Sequence, residues 1–260
     1  MTDPTYTINV IAHRLFGTRY EVVEGLPDRD PPNLFHPIQV LPQHLRFRRQ
    51  LQLFTDYEHG TTRSEENIRA LFTRNPAYRY PGDKTLNDIY APAGIQFRLV
   101  GVLDQTIESH LADFALHSQQ SSIARRFHQP DAINIYLIRE IPGAFGTAQL
   151  YSPHVPASGY LFLADRDGTP FSQSHATLIH EFGHVLGLPH MPYPENLMHT
   201  WSSDRTLRLE PPQIPILRHH ASLLAADPLV AGVPLIDPGL LIPRREGFRA
   251  WEFDIDLEEG

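Results

Sequence analysis

The run His180-Glu181-Phe182-Gly183-His184-Val185-Leu186-Gly187-Leu188-Pro189-His190 decides how this chain is read. Its pattern is H-E-x-x-H-x-x-G-x-x-H. On a helix, His180 and His184 stand four residues apart on one face, so both can bind a single metal ion. Glu181 projects beside them, badly angled for a ligand and well placed to hold a water on that metal. Gly187 allows a left-handed turn that ends the helix, and Pro189 cannot continue it. The chain then doubles back and delivers His190 as a third ligand. Three neutral imidazoles with one position left for water describe an open, catalytic zinc site rather than a closed structural one. The chain is histidine-rich, and the short H-E-x-x-H pattern would arise in roughly 5% of permuted chains of this composition. Requiring Gly187 and His190 as well lowers that to on the order of 10⁻⁴, so a helix that merely displays histidines is the weaker reading.

Met198 follows His190 by eight residues, within Asn196-Leu197-Met198-His199. Together with the long histidine motif, this resembles the Met-turn of the metzincin metallopeptidases. The short gap is similar to that of the matrixin and related branches. Ala132 to Ile138 resembles a metzincin central strand, Tyr160 to Ala164 the last strand before the zinc helix, and Leu209 to Ile214 the start of the closing helix. The resemblance covers about residues 83 to 225 and is specific from 180 to 198. Two positions depart from it. Met191 follows the third histidine and matches no subfamily marker. Thr200 stands where astacins and serralysins carry a zinc-associated tyrosine, so that tyrosine's role is not carried over.

The resemblance implies an α/β fold of zincin type. Its parts are a twisted, mostly parallel sheet of about five strands, a zinc-binding helix, a Met-turn and a closing helix, with a small β-appendage built from the termini. It implies a zinc-dependent metalloendopeptidase acting on protein or peptide substrates. Glu181 would take a proton from a zinc-held water and pass it to the departing amine. Met198 would shape the floor beneath the metal without ligating it. Thr147 to Tyr151 would be the edge strand above the cleft, where Thr147 and Ala148 could meet an extended peptide by strand addition. Tyr193 and Trp201 are candidates to line the substrate pocket and read equally well as packing. The alternatives are a metzincin-fold binding module, an effector with a blocked or very narrow cleft, and a zinc hydrolase acting on a non-peptide amide.

Composition narrows these classes. The 260 residues suffice for one catalytic domain with additions. A net charge of −8 argues against nucleic acid as an electrostatic partner. The absence of cysteine excludes disulfides, zinc–thiolate sites, a thiol nucleophile and cysteine-switch latency. No run approaches a membrane-spanning length, and Met1 to Tyr6 lacks a basic segment followed by an apolar core. The expectations are therefore no membrane partner, a cytoplasmic protein rather than one exported without a cleavable signal, and a monomer.

Read in order, residues 5–24 predict two short strands separated by a turn near Gly17. Residues 1–44 as a whole read as an N-terminal β-appendage or pro-segment. Residues 45–226 are the catalytic domain. Leu45 to Tyr57 is expected to be its first strand, followed by helices over Ser64 to Phe72 and Asp83 to Tyr90, then a strand over Ile95 to Leu103. Ser109 to Phe127 reads as a helix or helix pair, and the zinc helix as His175 to Leu186, capped by Ser172 or Ser174. Asp165-Arg166-Asp167-Gly168 reads as a turn, with a Ca²⁺ site as the alternative. Gln213 to Ala226 is the closing helix, on which His219 and His220 are expected to be solvated. Residues 227–260 form a C-terminal extension whose alternating Trp251 to Leu257 stretch predicts a strand packed on the N-terminal strands.

Overall fold

Every residue of Ile133–Ile138 is buried, as expected for a strand covered on both faces, and this strand (β4) lies at the centre of the sheet. The computed structural model describes residues 6–24, 49–73, 85–130, 132–155, 157–165, 171–199, 208–225 and 255–257. The strands are β1 (Tyr6–Glu24), β2 (Arg49–Gly60), β3 (Ile95–Thr106), β4, β5 (Ala144–Gln149), β6 (Tyr160–Ala164) and β7 (Ile255–Leu257). They form one sheet in the order β2-β1-β4-β6-β5-β7, with β3 also paired to β1. The β1–β3, β1–β4 and β4–β6 pairs are parallel, whereas β2 and β5 run against their neighbours. Among the described residues five of the seven strands thus share one direction, since β7 runs against β5.

The helices are α1 (Glu65–Phe72), α2 (Leu86–Tyr90), α3 (Ser109–Asp113), α4 (His117–Phe127), α5 (Phe171–Val185) and α6 (Gln213–Leu224). Strand alternation sorts them into layers. Ile133, Ile135 and Leu137 of β4 and Leu161 and Leu163 of β6 share a core with α1, α2, α5 and α6. Tyr136, Ile138 and Phe162 face the other way, onto α3 and α4. A sheet buried on both faces this way is a three-layer α/β arrangement. Helix ends follow local chemistry: Ser64 Oγ accepts from the Asn67 N–H, and Thr85 and Asp88 form a reciprocal capping box.

Several expectations are corrected. Residues 6–24 are one strand rather than two, because the register shift at Phe16/Gly17 absorbs the glycine as a bulge instead of a turn. That strand pairs with β3 and β4 inside the sheet. The mostly parallel sheet of a mixed α/β fold is present as expected, with seven strands among the described residues. β7 pairs with β5 and not with the N-terminal strands, at Ala144↔Leu257 and Thr147↔Ile255. The domain limits at 44/45 and 226/227 and residues Trp251 and Phe253 lie outside the described residues. Ser109 to Phe127 resolves into the pair α3 and α4. Asp165 accepts from Arg63 at 2.9 Å and from Thr61 at 2.7 Å, with both ion-pair side chains 6% exposed. A cation there would meet a guanidinium already in place, which disfavours calcium at that carboxylate; Arg166 to Gly168 lie outside the described residues. Among the described residues no helix is long and apolar enough to cross a membrane.

Candidate metal centre

Helix α5 begins at Phe171, four residues earlier than expected, and its apolar face (Ile179, Phe182 and Val185) is wholly buried. It ends where the sequence requires. Gly187 takes φ +84°, its N–H donates to the His184 carbonyl at 2.9 Å, and the Leu188 N–H donates to the Gly183 carbonyl at 2.9 Å. This is a Schellman closure with Gly187 in the left-handed position. It reverses the chain and carries His190 back to the helix face.

The three histidines converge. The Nε2 atoms are 2.9 Å apart for His180 and His184, 3.1 Å for His180 and His190, and 3.2 Å for His184 and His190. A tetrahedral zinc with bonds of ~2.0–2.1 Å holds its nitrogens about 3.3 Å apart, close to this triangle. The ring partners fix the tautomers. His180 Nδ1 lies 2.8 Å from the Leu197 carbonyl, and His184 Nδ1 lies 2.7 Å from the Leu188 carbonyl. A carbonyl only accepts, so both Nδ1 atoms carry the proton and both Nε2 atoms present lone pairs. Two lone pairs directed together at 2.9 Å repel unless a cation lies between them. The donor set therefore fits a metal, and an all-nitrogen trio of this kind suits zinc. Among the described residues this is the group of three metal-ligating side chains that could share an ion.

Glu181 is fully buried beside this triangle. Strand β5 runs directly over it: a Cβ at Gly146 would sit 2.8 Å from both Cγ and Oε1 of Glu181. The absence of a side chain at Gly146 thus makes room for the carboxylate, a role that no motif around Gly146 announces. Tyr90 lies below, its hydroxyl donating to the Ile179 carbonyl at 2.8 Å. Burial, and then the Glu181 charge, hold the Tyr90 proton far more tightly than usual.

Met198 is fully buried under α5, with Sδ occupying the space where a Gly183 Cβ would stand. Its turn is held by the Met198 N–H donating to Asn196 Oδ1 at 2.8 Å and by the Met191 N–H donating to the Met198 carbonyl at 2.7 Å. The pocket candidates divide. Tyr193 is 52% exposed on the loop after His190, whereas Trp201 lies outside the described residues. Ala148 shares the face of Gly146 and packs on the α5-side core. Thr147 turns to the opposite face of the sheet, where its hydroxyl donates to Gln120 Oε1 at 2.7 Å. The expected edge strand is internal among the described residues, since β5 lies between β6 and β7 with Thr147 in register with Ile255.

His219 and His220 are each only 8% exposed, contrary to the expectation of a solvated pair. The His220 ring fills the space beside Gly187, 2.5 Å from where a Cβ would stand. Gly187→Ala should therefore both strain the backbone and displace His220. Denaturant unfolding should show a loss of about 2 kcal/mol or more; a change below about 0.5 kcal/mol would refute this account of the turn. Burial, then the neighbouring His219, lowers the His220 pKa from 6.5 to about 4. Between those values the unfolded chain binds a proton that the folded chain refuses. Stability should thus fall as pH drops from about 6.5 to 4, by up to about 3 kcal/mol from this group. His220→Gln compared with the parent at each pH should flatten that part of the curve, and parallel curves would contradict it.

No family model matches the chain. An extracellular metalloprotease from Colletotrichum graminicola is 30% identical over 119 residues, which is 40% of each chain. The present chain thus matches well under half of that relative's length. Metalloproteinase-II from Bacteroides fragilis superposes over 85% of this chain and 55% of its own, with a TM-score of 0.47 and 17% identity.

Proposed function

We propose that this chain is a zinc-dependent metalloendopeptidase of the metzincin type. The observation that carries the reading is the convergence of three Nε2 atoms beside a buried glutamate, beneath the strand β5. The resemblance to a protein named as a metalloprotease supports the same reading. His180, His184 and His190 would hold the metal, which when bound supplies Lewis acidity to polarise a carbonyl and acidify water. Glu181 is the general base: its carboxylate takes the proton of the attacking water and returns it to the amine as the peptide bond breaks. Burial under β5 keeps bulk water from competing for that carboxylate. Met198 and the turn around it set the orientation of His180 from below. The substrate lies extended along β5, bonded to the backbone between Ala144 and Gln149. β7 pairs antiparallel with the edge of β5 that faces away from β6, so a substrate bound there would take the place of β7.

The test is metal content together with cleavage of a mixed peptide library. About one zinc per chain with cleavage is expected, and a protein that takes no zinc would sink the proposal. The pairing of β7 with β5 also favours a second reading, a binding module or effector whose cleft is blocked. That reading expects zinc without cleavage of the library.

A further inference from the structure

The turn that carries Met198 is clasped to α6 by two side-chain amides that face each other. Asn196, fully buried, donates from Nδ2 to Gln213 Oε1 at 3.1 Å, and Gln213 donates from Nε2 to Asn196 Oδ1 at 3.1 Å. Both acceptors do further work. Asn196 Oδ1 also takes the Met198 N–H at 2.8 Å, and Gln213 Oε1 also takes the Glu210 N–H at 2.8 Å. Gln213 is 5% exposed and opens α6, so the clasp joins the turn to a helix packed in the main core.

The turn reaches two of the three histidines. Its Leu197 carbonyl accepts from His180 Nδ1–H, fixing that ring's tautomer and direction. Its Met198 carbonyl accepts from the Met191 N–H, the residue after His190. A shift of the turn therefore moves the partner of one ligand and the anchor of another. We propose that Gln213, through Asn196, is a positioning residue for the metal centre, holding the turn at the height where His180 and His190 converge. This rests on the reading of the three histidines as a metal site and adds to it a residue that touches none of them. Outer partners of ligand histidines commonly change metal affinity 10- to 100-fold when altered. Gln213 acts one step further out, but its bonds are buried and reciprocal, so the turn has no water to replace them.

The experiment is a Co²⁺ titration of the full chain, followed by its visible ligand-field absorption and by chelator competition, without reference to hydrolysis. Gln213→Met keeps the side-chain length and removes the clasp. It should weaken Co²⁺ binding about 10-fold and alter the absorption band. Ile216→Ala, on the same helix and in the core, should lower thermal stability with Co²⁺ affinity unchanged. Should Gln213→Met not fold, Gln213→Glu retains the acceptor and, when protonated, the donor. Its affinity deficit relative to the parent should then widen as pH rises and the new carboxyl ionises. Equal affinity in Gln213→Met and the parent, or equal loss in Gln213→Met and Ile216→Ala, overturns the clasp alone. So does a Gln213→Glu deficit that does not vary with pH. A parent chain that takes no Co²⁺ overturns the metal reading itself.

Discussion

Glu181→Ala should lower kcat for peptide hydrolysis by about 10²–10⁴-fold while the protein keeps about one zinc per chain. The separation of these two readouts follows from geometry. The nitrogens that would bind the metal are the Nε2 atoms of His180, His184 and His190, and two of those rings are oriented by the Leu197 and Leu188 carbonyls. None of these bonds passes through Glu181, so truncating it leaves the triangle standing. What goes is the buried carboxylate under Gly146, the group to which the proposed mechanism gives the proton of the attacking water. Tyr90 feels the charge of this carboxylate, and it cannot substitute. Its hydroxyl proton is held tightly and is already committed to the Ile179 carbonyl. Metal analysis and initial rates on the same preparations decide the matter. A variant that cleaves at the parental rate would remove Glu181 from the mechanism, and a variant that loses its zinc would show that the carboxylate holds the site together instead.

The parts of this site that were legible in the sequence are those whose chemistry is local. Helical periodicity alone places His180 over His184, and Gly187 followed by Pro189 dictates the reversal that brings in His190. The all-buried β4 and the capped α1 likewise declare themselves through near neighbours in the chain. What the sequence hid depends on pairing over long distances. A parallel strand carries no mark of its neighbour, so nothing in Tyr6–Glu24 announces that it joins β3 and β4 inside the sheet. The alternating stretch near Leu257 reads correctly as a strand but not as a partner of β5. Facing is equally hidden: a step of one residue along β5 decides that Gly146 lies over Glu181 while Thr147 turns to Gln120. Asn196 and Gln213 look like ordinary polar residues seventeen positions apart until the fold buries them against each other. His219 and His220 read as solvated for the same reason, since burial of α6 on both sides is set by elements far away in the chain.

Removing the metal should abolish activity and cost the fold about 4 kcal/mol relative to protein at a free zinc concentration near a thousand times Kd. The stabilisation is the ordinary mass-action gain of a ligand bound only by the native state, but the structure adds a reason why the metal-free site is uncomfortable. With Nδ1–H of His180 and His184 donated to carbonyls, their Nε2 lone pairs stay aimed at each other 2.9 Å apart. Relief requires either protonating an imidazole in a buried pocket or turning a ring and breaking its carbonyl bond. Chelation should therefore lower the unfolding temperature, and added Zn²⁺ should restore both stability and hydrolysis. His190→Ala supplies the companion measurement. It takes away the ligand delivered by the Gly187 turn and leaves the two helical histidines in place. Its unfolding temperature should sit near that of the chelated parent and respond little to chelator. If chelation instead left the parent's unfolding temperature unchanged, the three histidines would not be a metal centre, and their convergence would need another cause. If His190→Ala still showed the full response to chelator, two histidines would suffice, and the chain reversal at Gly187 would serve packing rather than metal binding.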